Sequence, residues 1–261
     1  MIAEVIDARD TDLHRFAGRL GWKDFLKRLD IYRYLEYSAV IGGMQVKPGN
    51  WLLDVGSAST ALPLFLTAAG CRVQAIDIDE RRVTFQHHRL WARSQQLPVR
   101  GLSFGVQDAR RLPYAEATFD GVTAISVIEH IPGNGDTLAV AEMARVVKPG
   151  GRLGLSFPYG VAYQEGRRSY DTAVNHRIYD EKAVEQRILQ ASDVEELRRF
   201  YFSNRWFDFE RVIWRRIPQI VHNLTGWTAL GLVCSRIFFS TEAKPNHGSA
   251  NGMGLILARK G

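Results

Sequence analysis

Gly56 and Asp77 stand 21 positions apart, and that spacing carries the first chemistry readable in the chain. A carboxylate about 20 residues past a small-residue turn can accept both hydroxyls of a ribose lying across strand ends. The turn is Gly56-Ser57-Ala58-Ser59-Thr60. Glycine reaches backbone angles closed to other residues, and small side chains behind it let a ligand approach the backbone and the N–H groups of a helix start. An ordinary strand-to-helix connection is the plainer alternative. Ala58 and the residues after it lack the Gly-x-Gly-x-x-Gly spacing of a pyrophosphate cradle, so an adenosyl group without a pyrophosphate fits better than a dinucleotide.

These residues need an α/β frame. Trp51, Leu52 and Leu53 form an apolar run closed by Asp54 and Val55, a first strand, and Ala61 to Ala69 reads as the helix after the turn. Gly70 ends that helix, and Cys71 to Ile76 is a second strand delivering Asp77. Asp79 can cap a basic helix from Glu80 to about Gln95, in which His87 and His88 point in different directions and form no i, i+4 metal pair. Leu102 to Val106 reads as a third strand, with Gln107, Asp108 and Ala109 at its carboxyl end, where open α/β sheets bind ligands. Phe119 to Val127 is the fourth, followed by Glu129, His130 and Ile131, with Ser126 at its ligand-facing end. A helix over Thr137 to Val146 and a fifth strand over Arg152 to Phe157 come next. Arg177 to Asp180 begins a helical stretch running over Glu181 to Leu189, and Glu195 to Phe202 and Gly252 to Lys260 complete the strands. Upstream, Asp10 or Thr11 can cap a short helix, and Trp22 to about Ile41 suggests a longer one, in which Tyr32, Tyr34, Glu36 and Tyr37 stand out as packing aromatics and a carboxylate.

With these segments in order, the chain resembles the class I S-adenosylmethionine-dependent methyltransferases. The resemblance rests on Leu53-Asp54-Val55-Gly56, Ala75-Ile76-Asp77, Gln107 to Tyr114, Thr118 to Val122, Ile128-Glu129-His130-Ile131 and Val147-Lys148-Pro149-Gly150-Gly151, and spans Trp51 to Pro158. It implies a Rossmann-like seven-stranded sheet, mostly parallel with an antiparallel last strand, helices on both faces, and S-adenosyl-L-methionine as cofactor. By the same resemblance the cofactor residues are Asp54, Gly56, Ser57, Ala58, Asp77, Ile78, Gln107, Asp108, Ala109 and Ser126, with Asp108 accepting from the adenine amino group. A helix before the first strand often covers the site in this family, which makes Tyr34 a contact candidate. Where the family usually has second and third glycines this chain has Ala58 and Thr60, so the cradle is expected to be shifted or weakened.

Methyl transfer from a sulfonium is an in-line displacement that depends mainly on positioning, with a base needed when the acceptor is a hydroxyl or a protonated amine. His130 is one candidate base, just past the fourth strand with an unperturbed pKa near neutrality, and His176 is a second, in the variable region after the fifth strand. Glu129 and His130 could also serve a metal, as in the ubiquinone-biosynthesis O-methyltransferases that this short motif resembles. Two adjacent donors without a third leave no metal assigned. The leading expectation is transfer to an oxygen or nitrogen of a small molecule. The alternatives are a lipid-like or macromolecular acceptor at a membrane surface, and a catalytically idle adenosyl-binding protein suggested by Ala58 and Thr60.

At 261 residues with 46% hydrophobic side chains, one domain over 1–261 is expected: N-terminal helices over 1–48, a cofactor core over 51–158 and a helical insertion over 203–249. Two cysteines, Cys71 and Cys234, argue against a disulfide framework, and an N-terminal stretch with scattered charges is not a secretory signal, so a cytoplasmic location is expected. The net charge of +6 sits in dispersed basic pairs such as Arg81-Arg82 and Arg110-Arg111, which disfavours nucleic acid as a partner. In the insertion, Trp206, Phe209, Ile213, Ile217, Ile220 and Leu224 recur at helical spacing, and a second apolar run follows from Trp227 to Phe239. Ile217 to Ser235 contains Pro218, Gln219, His222 and Asn223 and is not a membrane span. These helices are expected to pack on the domain, across a homodimer, or with Trp206, Trp214 and Trp227 on an anionic membrane.

Overall fold

The structure, a computed structural model, describes residues 31–57, 60–84, 100–168, 175–205, 216, 229–244 and 252–259. Ala58, the second half of the basic helix with His87 and His88, and the proposed helix of the insertion with Trp206, Trp214 and Trp227 lie outside these residues, as do the first 30.

The described residues open with helix α1 (Ile31–Met44) and enter strand β1 (Trp51–Val55). Side chains along a strand alternate between faces, and β1 obeys this. Leu52 joins one buried cluster and Leu53 and Val55 the other, each burial worth about 1.5–3 kcal/mol. β1 pairs in parallel with β2 (Arg72–Asp77) on one side and β4 (Phe119–Ile125) on the other, and β2 pairs with β3 (Leu102–Val106). Between β1 and β2 lies α2 (Leu62–Ala68), carrying Pro63 in its first turn, where a missing N–H costs nothing. After β4 come a single 3-10 turn, Ile128–His130, helix α3 (Gly135–Val146) and β5 (Val147–Pro158), which pairs in parallel with β4.

Beyond β5 a hairpin of β6 (Gln164–Arg168) and β7 (Asn175–Ile178) stands apart from the main sheet. The short α4 (Glu181–Val184) is capped by Asp180, whose Oδ1 accepts from Ala183 N at 2.8 Å, and it continues into a wider turn over Glu185–Leu189. β8 (Val194–Asn204), α5 (Ala229–Phe238), β9 (Phe239–Glu242) and β10 (Gly252–Arg259) complete the described elements. The sheet order is β3-β2-β1-β4-β5-β10-β8-β9, and β10 runs antiparallel to both of its neighbours.

The mostly parallel sheet and its antiparallel last strand match the expectation. The strand count does not: the sheet has eight strands among the described residues, because β9 adds to the edge of β8 in antiparallel register, Phe202↔Thr241. The sequence pattern carries the second apolar run to Phe239. The chain instead becomes extended at Phe239, whose ring is buried against Leu35, Cys234 and Phe238, while Arg205 Nε donates to its carbonyl at 2.6 Å. Ser203 and Asn204 belong to β8, so the segment leaving the sheet starts later than 203. Arg177 and Ile178 also differ from the sequence reading. They lie in β7, tied to the sheet by Tyr179 N donating to Pro158 O at 3.0 Å, and the helix starts only at Glu181.

Helices cover both faces. α1, α2 and α5 contribute Val40, Leu66 and Leu232 to the cluster that contains Leu52, and α3 and α4 contribute Met143 and Val184 to the one that contains Leu53. α1 lies close on β5: a Cβ on Gly154 would stand 2.6 Å from Val40 Cγ1 and Met44 Sδ. At the end of the sheet away from the strand carboxyl termini, the Asp120 carboxylate accepts from Trp51 N at 2.7 Å and from Lys148 Nζ at 2.5 Å, joining β1, β4 and β5.

Candidate functional site

The carboxyl ends of β1, β2, β3 and β4 lie side by side, and every described residue expected to meet the cofactor stands there. Gly56 leaves β1 at φ +65°, and a Cβ on it would lie 2.5 Å from Val127 Cγ2. The chain therefore needs glycine here twice over, for the angle and for the room. Ser57 is buried and donates its backbone N–H to Ile76 O at 2.9 Å, holding the turn against the end of β2.

Asp54 is buried, and its Oδ1 accepts from Thr123 Oγ1 at 2.6 Å. Burial pushes its pKa up to about 7, with the neighbouring Asp77 charge adding to the rise while the Thr123 hydrogen bond and Arg33 oppose it. Asp77 Oδ1 accepts from Asp79 N at 2.9 Å, and Arg82 Nη1 stands 4.0 Å from Oδ2. Gln107 N donates to Asp77 O at 3.0 Å, so the second and third strand ends are fastened together.

Ile78 follows with 66% of its surface exposed, an uncovered aliphatic side chain next to Asp77. Asp108 is 36% exposed, and Arg110 grips it: Nε lies 3.0 Å from both oxygens and Nη2 2.6 Å from Oδ2. These hydrogen bonds hold its carboxyl below the usual range. Ala109 is half-buried beside it.

Ser126, at φ +53°, is one of three described non-glycine residues with positive φ, a conformation that costs on the order of 1–3 kcal/mol and clusters at ligand sites. Its N–H donates to Ser156 O, and its hydroxyl donates to Glu36 Oε1 at 2.8 Å. Ser156 Oγ donates to the same oxygen at 3.0 Å, and Arg33 Nη1 donates to Oε2 at 2.6 Å. α1 thus reaches the site through Glu36. The sequence shows this carboxylate but not its direction, which follows from α1 seating on β5. The Tyr34 side chain lies outside the described residues.

The two histidines, 46 positions apart, meet. Their ring centroids are 5.2 Å apart at 59°. Glu129 lies beside them, 1% exposed, with Oε1 3.7 Å from His130 Nε2. Burial pushes the Glu129 carboxyl up to about 8, helped by Glu36 and opposed by Arg33. One ligand atom from each of Glu129, His130 and His176 falls within 4.8 Å of the others, so the third donor missing from the sequence reading is His176.

Arg177 brings it there. This guanidinium is 1% exposed, and it donates to Ile131 O, to Gly133 O at 2.6 Å and to Glu165 Oε1 at 2.9 Å. Asp136, fully buried, accepts from Tyr179 Oη at 2.9 Å and from Arg187 Nη2 at 2.7 Å. The network joins the hairpin to the loop that follows His130. Spacing alone does not signal it, because Arg177 reaches the loop after His130 through the backbone carbonyls of Ile131 and Gly133.

An open α/β sheet with its ligand end at a glycine turn, and with acidic residues after β2 and β3, defines an adenosyl-binding protein of the doubly wound class. Residues 53–155 match a protein family described as a methyltransferase domain. Methyltransferase GfsG of Streptomyces halstedii is 33% identical over 114 residues, 43% of this chain and 39% of the relative. An O-methyltransferase of Pyrenophora dematioidea is 28% identical over 165 residues, 60% and 55% respectively. The chain thus spans roughly half the length of the curated relatives it matches. Among solved structures, a 1,6-didemethyltoxoflavin-N1-methyltransferase of Burkholderia thailandensis with bound S-adenosylhomocysteine superposes with a TM-score of 0.51 at 15% identity, covering 82% of this chain and 72% of its own. The chain carries a class I S-adenosylmethionine-dependent methyltransferase domain.

Proposed function

We propose that the protein transfers a methyl group from S-adenosylmethionine to an oxygen or nitrogen of a small-molecule acceptor. The observation that carries this reading is the placement of Asp77 beside the Gly56 turn, at the adjoining carboxyl ends of β1 and β2. The residues suit the group: Asp77 offers carboxylate oxygens to ribose hydroxyls, and the exposed Ile78 offers an apolar face to the adenine. Asp108 would accept from the adenine amino group with oxygens that it shares with Arg110. When bound, the cofactor supplies an activated methyl on a sulfonium.

The chain's own part is to place the acceptor behind that methyl and to deal with the acceptor's proton. Ser126, held at positive φ by its hydrogen bonds to Glu36 and Ser156, shapes the wall at the end of β4. His130 and His176 stand past that wall and meet the acceptor's proton, while the Arg177 clamp holds the hairpin over them. The O-methyltransferase and the N1-methyltransferase among the similar proteins support a small-molecule acceptor without choosing its atom.

Calorimetry with S-adenosylmethionine and a radiolabelled methyl-transfer screen against cell extract test the reading. Cofactor binding together with labelling of a small, extractable product is the expected result. Cofactor binding without transfer to any extract component would instead leave an idle adenosyl-binding protein.

A further inference from the structure

We propose that Glu129, His130 and His176 form a binding site for a divalent transition-metal ion, and that this ion activates an oxygen acceptor. The metal site stands on geometry alone; the role given to the ion rests on the methyl-transfer reading above.

Three donors converge from two separate elements, the turn after β4 and strand β7 of the hairpin, with ligand atoms within 4.8 Å of one another. A triangle of that size needs each donor to move by less than about 1 Å to reach zinc–nitrogen and zinc–oxygen distances near 2.1 Å. Rotation about side-chain torsions covers that range. An independent observation points the same way: Glu129 is buried, and its Oε2 has no hydrogen-bond partner among the described residues. A buried carboxylate oxygen left without a donor is costly, and a cation is one way to satisfy it.

The surroundings keep the donors in place. Arg177, next to His176 in the chain, donates to Ile131 O and Gly133 O in the loop directly after His130. His176 therefore cannot drift from Glu129 and His130 without breaking charge-assisted hydrogen bonds inside the protein.

The donor set selects the ion. Two imidazoles and a carboxylate suit zinc, iron, cobalt or nickel, whereas magnesium and calcium call for oxygen ligands. Three protein donors leave at least one coordination position open, as catalytic metal sites do. An acceptor oxygen entering that position has its pKa lowered by the ion and releases its proton to water near neutral pH. The new carbon–oxygen bond then forms as the carbon–sulfur bond breaks, and the sulfur leaves as a neutral thioether with the electron pair. On this assignment the histidines act on the acceptor's proton as ligands instead of as bases. The acceptor is an ionisable hydroxyl compound such as a phenol or an enol.

The test titrates Co2+ and Zn2+ into the chelator-treated full chain, following the visible absorption of Co2+ and the metal content after gel filtration. One ion per chain is expected, with affinity lowered at least about 100-fold in His176→Ala and in Glu129→Gln. S-adenosylmethionine binding and the melting temperature, measured on the same samples, report whether each variant is folded. His176→Ala truncates a half-buried ring and is the variant expected to keep the fold. No uptake by the wild-type chain, or uptake unchanged in folded His176→Ala, would overturn the site. A chain that takes up metal at these residues but binds no S-adenosylmethionine would overturn the methyl-transfer reading and leave the site standing. The converse result would do the opposite.

Discussion

At Gly56, φ is +65° and a Cβ would lie 2.5 Å from Val127 Cγ2, so Gly56→Ala combines strain with a clash. The expected loss is about 1–3 kcal/mol of stability, with cofactor affinity falling too. Thermal melting and calorimetry measure the two effects, and adding Val127→Ala should recover the clash component but not the strain. Asp77→Ala removes a carboxylate proposed to accept both ribose hydroxyls, at a cost of about 1–3 kcal/mol of cofactor binding. Unchanged affinity by calorimetry would remove Asp77 from the site. Asp54 gives a prediction in pH. Its carboxyl is pushed from 3.8 up to about 7 in the folded chain, where Thr123, Asp77 and Arg33 surround it. Folding therefore takes up a proton between those values. The stability from this group is full below about pH 4 and is lost as pH rises toward 7, with a slope of at most about 1.4 kcal/mol per pH unit. Denaturant melts of wild type and Asp54→Asn across that window should diverge, the variant showing the flatter profile.

Elements differ in how far the sequence shows them. β1 and β3 have the boundaries their apolar runs imply, and α2 and β2 fall within a residue of theirs, because local pattern and tertiary role agree there. The placement of Asp77, Asp108 and Ser126 at strand ends was legible for the same reason. β9 was not legible. Helical propensity runs through Phe239, and only the free edge of β8 turns the chain into a strand. Nor did the sequence reveal the start of β5 at Val147, where Lys148-Pro149-Gly150-Gly151 reads as a turn yet Val147 already pairs with Phe119. The meeting of His130 with His176 depends on Arg177 finding backbone carbonyls, which leave no trace in side-chain types. Arg177→Met should therefore act at the level of the hairpin. It strips partners from Ile131 O and Gly133 O and a positive neighbour from Asp136, at a cost of about 3–5 kcal/mol. Limited proteolysis should then cut within 164–178 before the sheet is lost, and protection of that hairpin equal to wild type would contradict its role as a clamp.

For the whole molecule, the core depends on β10 more than on any surface feature. Met253, Leu255 and Leu257 enter one buried cluster and Ile256 the other, and the strand fills the space between β5 and β8. Leu255→Ala should cost about 2–5 kcal/mol, read as a shift of the denaturation midpoint with little change in slope. No helix among the described residues is long and apolar enough to cross a membrane. A surface role for the segment between β8 and α5 is open to vesicle co-sedimentation at low salt, which an anionic-membrane contact requires to be positive.

The place of β10 in the sheet has a consequence for how the chain is made. Synthesis is vectorial, and β5 and β8 leave the ribosome well before residues 252–259 exist. Until those residues emerge, the edge of β5 and the edge that β8 will present to β10 are both unpaired, the arrangement most open to wrong pairing between nascent chains. The last contacts to form are also among the most distant in sequence, since Met253 pairs with Phe157, so closure of the sheet is slow relative to its parallel half. A stalled or shortened transcript would thus yield a product with a ready cofactor end and two adhesive flanks. Cells producing this chain would need to shield those flanks for as long as translation up to residues 252–259 takes.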